Sequence, residues 1–158
     1  MRKTEKTIWQ GRFRGVSFEI VCWKEDNMEK PIWNYYIYIP RKKAPKVFKR
    51  FILKPIKYKI TKTSPVRYRY DYCGSKFEEV FNMHGGITYW EYIRNGIGDI
   101  VGLKVGCDYD HLSDEGKTYA LNEITADLKR SINSFLKWFP IFGETKKGDE
   151  NVKIKESN

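Results

Sequence analysis

Histidine is scarce in this chain: His84 and His111 are the only two among 158 residues. A catalytic or metal-binding imidazole must therefore be one of these two. The three cysteines, Cys22, Cys73 and Cys107, are odd in number and widely spaced, and no pair has the C-x-x-C spacing of a zinc or redox site. They read as free thiols of a reducing compartment. No apolar run approaches the roughly 20 residues that span a bilayer, and no signal-peptide pattern follows Met1. The expectation is a soluble protein of the cytoplasm. Acidic residues are missing from a long central stretch: between Lys30 and Tyr70 there is no Asp or Glu, against thirteen Lys or Arg.

What is present is one-sided β patterning. In Val16–Trp23, residues Val16, Phe18, Ile20 and Cys22 fall on one face. In Trp33–Ile39, residues Trp33, Tyr35, Ile37 and Ile39 oppose Asn34, Tyr36 and Tyr38. Period-two alternation rich in aromatic and β-branched residues predicts strands. Further strands are expected at Ile56–Thr61, Val66–Tyr72 and Val101–Cys107, with a short helical pattern at Phe77–Phe81. Leu121, Ile124, Leu128, Ile132, Phe135 and Leu136 recur at steps of three and four and predict an amphipathic helix, ended by Pro140 and Gly143. The expected fold is α+β: a twisted, mainly antiparallel sheet packed by one long C-terminal helix. A single domain over 1–142 is expected, followed by a charged, disordered tail over 143–158.

The acid-free stretch carries Arg41, Lys42, Lys43, Lys57, Lys59, Arg67 and Arg69, with Tyr58 and Tyr68 among its aromatics. Cations hold phosphates by releasing counterions, and aromatic faces stack on bases. With a net charge of +10, this pattern points to nucleic acid, a ribonucleoprotein or a nucleotide as partner, or to an acidic host protein. Lys57 and Lys59 on one strand, with Arg67 and Arg69 on the next, suggest a continuous positive stripe. No helix-turn-helix, zinc-finger or aromatic RNP-type signature is present, which argues against a sequence-specific DNA reader.

Both histidines lie in glycine-flanked motifs, His84-Gly85-Gly86-Ile87-Thr88 and Gly106-Cys107-Asp108-Tyr109-Asp110-His111-Leu112-Ser113-Asp114. His84, Asp108, His111 and Asp114 offer two imidazoles and two carboxylates, a mixed donor set that suits a divalent metal such as zinc, manganese or iron. Without a metal, His84 or His111 tuned by Asp108 can act as general base, giving a hydrolase of nucleic acid or nucleotide as the enzymatic alternative. The ligand set then comprises His84, Gly85, Gly86, Thr88, Asp108, His111 and Asp114. A structural role competes with both: Asx-turns at Asp108 and Asp110, Ser113 or Asp114 capping the last helix, and His84 bonded to a loop carbonyl.

The ordered set Asn34-Tyr35-Tyr36-Ile37-Tyr38-Ile39-Pro40, the His84–Tyr89 motif, the Gly106–Asp114 motif and the closing helix resembles a group of small bacteriophage proteins of unassigned function. These carry a strand ending in Pro, an H-G-G-[IL]-T segment and a G-F-D-C-A-H-x-G-D segment. The shared positions are His84, Gly85, Gly86, Thr88, Asp108, His111 and Asp114. This chain departs from the pattern with Cys107 for Phe, Tyr109 for Cys, Asp110 for Ala and Ser113 for Gly. The resemblance implies a phage or prophage origin and action in a bacterial host. The expected function is then an accessory protein, anti-CRISPR-like, that counters host defence or machinery by binding a polyanionic target.

Overall fold

The computed structural model describes residues 4–43, 54–58, 67–71, 74–140 and 152–155. Its centre is a six-stranded antiparallel sheet. β1 (Thr4–Phe13), β2 (Val16–Glu25) and β3 (Ile32–Pro40) form a meander. The chain then visits a separate two-stranded ladder, β4 (Lys54–Tyr58) with β5 (Arg67–Asp71), and enters helix α1 (Gly74–Phe81). β6 (Tyr89–Arg94) and β7 (Ile100–Asp108) return to the main sheet, α2 (Leu121–Trp138) packs on it, and β8 (Val152–Lys155) closes the edge. The order across the sheet is β6-β7-β3-β2-β1-β8. This is the α+β architecture expected.

The alternation in β3 translates directly into burial. Trp33, Tyr35, Ile37 and Ile39 are buried, whereas Asn34, Tyr36 and Tyr38 lie half-exposed on the opposite face. Val16, Phe18 and Ile20 of β2 and Leu103, Val105 and Cys107 of β7 continue the same layer. Against it, α2 lays Ile124, Leu128, Ile132, Phe135 and Leu136, all buried. Tyr35 is fully buried and its hydroxyl meets that of Ser131 on the helix at 2.7 Å, which satisfies the phenol. The buried indole nitrogen of Trp33 in the same layer has no hydrogen-bond partner among the described residues. Ser131 also reaches the carbonyl of Asn82, and Ser134 that of Glu79, which sets α1 antiparallel to α2. Phe81 stacks on Phe135 at 5.3 Å between ring centres.

Three expectations are corrected. β1 and β6 were not anticipated. The side chains of β1 run from exposed to half-buried without a fully buried row, so periodicity is weak there. The tail expected to be disordered supplies β8 at its Val152–Lys155 section, paired with Ile8–Gly11; four residues are too few to signal a strand within a charged run. Neither Ser113 nor Asp114 caps α2. Its first turn is closed by Glu123, whose carboxylate accepts the Ala120 N–H at 2.8 Å. Lys59–Thr61, Val66 and Tyr72, at the ends of the two strands expected in the basic stretch, lie outside the described residues. No described helix is long and apolar enough to cross a membrane.

Core truncation should cost far more than trimming the surface. Phe135→Ala, at 0% exposure, should lower unfolding free energy by about 3–5 kcal/mol. Leu112→Ala, at 89% exposure, should stay within about 0.5 kcal/mol, as urea titrations of the two variants would show.

Candidate functional site

The two histidine motifs meet. His84 follows α1, and the β7–α2 connection brings Asp108–Asp114 against it. At the centre is Asp114, 1% exposed. One carboxylate oxygen accepts from Tyr119 Oη at 2.6 Å and from His84 Nε2 at 2.8 Å. The other accepts the His111 N–H at 3.1 Å, and the Asp114 N–H returns to the His111 carbonyl at 2.8 Å. Its backbone carbonyl takes Lys30 Nζ and the Lys117 N–H. Burial alone would raise the Asp114 pKa, but the bonds from Tyr119, the His111 amide and His84 outweigh it and hold the group below the usual carboxylate range. An ionised carboxylate only accepts, so His84 Nε2 carries the proton.

The His84 ring lies flat on Tyr109, 4.1 Å between centres and 4° between planes. Its Nδ1 stands 4.0 Å from Asp127, which accepts the Tyr109 hydroxyl at 2.6 Å and pairs with Arg130 at 2.7 Å. Burial and the bond to Asp127 push the Tyr109 hydroxyl far above its ordinary pKa. The Tyr119 hydroxyl rises to about 12, chiefly because its bond to Asp114 favours the protonated phenol.

His111 packs its ring on the backbone of Gly85. Gly85 has φ +63°, and a Cβ there would run into the imidazole. His111 Nε2 is enclosed 3.7 Å from Asp108, with no hydrogen-bond partner among the described residues. Asp108 makes the expected Asx-turn to the Asp110 N–H at 3.2 Å, and its own N–H donates to Thr88 Oγ1 at 3.0 Å. Gly86 borders the Glu78 carboxylate, which accepts the Ile87 N–H.

All seven motif residues are thus neighbours, but their polar atoms are largely spent on one another. His84 bonds a carboxylate rather than the loop carbonyl expected. Among the described residues no three His, Cys, Asp or Glu side chains converge on a point that could hold a metal ion. The expected metal set His84, Asp108, His111 and Asp114 resolves into two pairs, His84–Asp114 and His111–Asp108. The reason is that Tyr119 and the His111 amide already occupy the Asp114 oxygens. Cys107 is buried, which raises its thiol to about 12 and leaves it inert as a nucleophile. Sequence motifs did not reveal Tyr119, Asp127 or Lys30, which complete the cluster from other segments; Asp127 signals only as an i,i+3 partner of Arg130 on the polar side of α2.

Beside His111 opens a cleft of about 460 Å³ bordered by Glu29, Asp110 and Glu115. Its sign is wrong for a phosphate. The basic residues lie elsewhere. Asn34 pairs with Asp108 and Pro40 with Gly102, so Arg41 and Lys42 emerge about 20 Å along β3 from the histidine cluster. Arg41 donates to the Ile100 carbonyl at 3.1 Å, and Lys42 is exposed. In the β4–β5 ladder, Lys57 pairs with Tyr68, Ile56 with Arg69 and Tyr58 with Arg67. No Lys or Arg of β4 is therefore the cross-strand partner of an Arg of β5, so the register does not align Lys57 with Arg67 or Arg69 as a continuous stripe would need. Lys43 ends the short 3-10 turn after β3, and Lys59 lies outside the described residues.

No protein-family model, no curated protein and no solved structure matches this chain.

The buried carboxylate gives an acid-sensitivity test. A depressed folded-state pKa contributes stability that is complete above the unfolded value, near 4, and is lost as pH falls through the folded value. Asp114→Asn should lower the melting temperature at pH 7 and flatten its fall between about pH 4 and pH 2, measured by circular dichroism.

Proposed function

We propose that the protein is a non-catalytic binding protein whose target is a nucleic-acid polyanion, free or within a ribonucleoprotein, engaged by the segment between Arg41 and Arg69. The observation that carries this reading is charge segregation. Twelve of the thirty Lys and Arg residues and none of the twenty Asp and Glu residues fall in that segment; elsewhere eighteen cations face twenty acids. The whole positive excess belongs to one excursion between β3 and α1, which includes the separate β4–β5 ladder. General surface lysine enrichment for solubility would spread over the chain, whereas phosphate binding needs it concentrated. In the β4–β5 register Lys57 is paired with Tyr68 and Arg67 with Tyr58, so each of these cations has an aromatic residue as its cross-strand partner.

For the hydrolase alternative, Asp114 is sealed and His84 is bonded to it. That leaves His111, its Nε2 without a hydrogen-bond partner among the described residues and 3.7 Å from Asp108, as the imidazole that reading would use. The likeness to small phage proteins extends the binding reading to an accessory inhibitor of host defence, anti-CRISPR-like, acting on a nucleic-acid-containing complex in a bacterial cell.

Fluorescence anisotropy of a labelled RNA oligonucleotide over a salt series tests the binding mode. Affinity should fall steeply with salt. Replacing Lys57, Arg67 and Arg69 by Gln should weaken binding and shrink the log–log salt slope by about one for each phosphate contact removed. Salt-independent binding, or a triple variant that binds as tightly as the parent, would overturn the reading.

A further inference from the structure

The sheet face turned away from α2 is hollowed. Along β2 this face presents Glu19, Val21 and Trp23, and the short Val21 side chain leaves depth between its larger neighbours. The hollow measures about 310 Å³, within the range of small-molecule sites, and Lys6, Trp23, Asn34, Tyr36 and Lys104 line it with Glu19.

Its aromatic walls are held in place. The Trp23 indole N–H donates to Asn34 Oδ1 at 2.9 Å. The Tyr36 ring lies over Gly106, where a Cβ would strike it, and meets Tyr89 edge-on at 5.3 Å. Lys104 Nζ sits 4.2 Å from the Tyr36 ring centre. Glu19 is already engaged, accepting from Gln10 at 2.8 Å and standing 3.7 Å from Lys104. Lys104 is shared between Glu19 and the Tyr36 ring, so the exposed Lys6 leaves the hollow with one ammonium beyond its single carboxylate, which favours an anion. The fixed Trp23 and Tyr36 rings favour a planar group. The acid-bordered cleft beside His111 offers neither.

We propose that this hollow binds an aromatic anion of mononucleotide size, with its ring against Trp23 and Tyr36 and its phosphate held by Lys6 and Lys104. None of these residues lies between Arg41 and Arg69, so the site stands independently of the polyanion reading. Rings lodge on fixed aromatic faces at low entropic cost, while the lysines select the charged form over the bare nucleoside.

Titrating the full chain with adenosine 5′-monophosphate, while following tryptophan emission and binding heat, tests the site. Saturable quenching is expected, and Trp23→Phe should abolish most of it. Lys6→Met, at an exposed strand position that spares the core, should raise Kd by about tenfold, the value of one charge-assisted contact. Adenosine and inorganic phosphate should each bind more weakly than the monophosphate. The proposal fails if the monophosphate gives no saturable signal, if inorganic phosphate binds as tightly, or if binding survives both substitutions unchanged.

Discussion

A carboxylate removed from water must be bonded on every side, and the loop end of this molecule is organised around that requirement. Asp114 gathers a phenol from the α2 approach, an imidazole from the α1–β6 connection and an amide from its own turn. Each donor then acquires a fixed place: His84 is pressed on Tyr109, Tyr109 reaches Asp127 of α2, and Gly85 gives its surface to the His111 ring. Two of the residues expected in a catalytic constellation, His84 and Asp114, are bonded to each other, and Asp114 also to Tyr119, as a fastening. An acid beside an imidazole serves catalysis only when an atom is left over for substrate. Both oxygens of Asp114 are bonded and enclosed, whereas the His111 Nε2 beside Asp108 has no hydrogen-bond partner among the described residues.

The molecule divides its labour by charge. The fastening and the cleft beside it are acidic, the sheet and helix are near neutral, and the Arg41–Arg69 excursion holds the positive excess. β3 runs from its pairing with Asp108, beside the fastening, to Pro40, which opens into Arg41.

Much of this was legible in the residues. β2, β3, β7 and α2 each bury one face, so their periodicity survives in the sequence. β1 could not be read because its side chains stay between exposed and half-buried, and β8 because four residues within a charged run carry too little pattern. The pairing of the two histidine motifs was expected from the two imidazoles of His84 and His111 and the carboxylates of Asp108 and Asp114. Their chemistry was not, because Tyr119 and Asp127 arrive from segments that carry no motif. The cross-strand register of β4 and β5 was likewise hidden: alternation says which residues share a strand face, but only the ladder says which residues sit opposite. The hollow of Trp23, Tyr36 and Lys104 depends on three strands at once and left no linear trace.

The antiparallel seam between β3 and β7 joins parts of the chain far apart, Pro40 with Gly102 and Asn34 with Asp108. The β1–β3 meander zips through neighbours in sequence, but this seam must close a loop that contains the entire basic excursion. Loop closure makes such a contact cost more entropy than the local β1–β3 pairings, so topology favours forming the meander before the seam. Until then the inner faces of β3 and β7 are bare, and the nascent chain carries Tyr35, Ile37 and Val105 unprotected beside a run of twelve cations. Like charge on that run opposes the association of two such chains wherever those faces are uncovered.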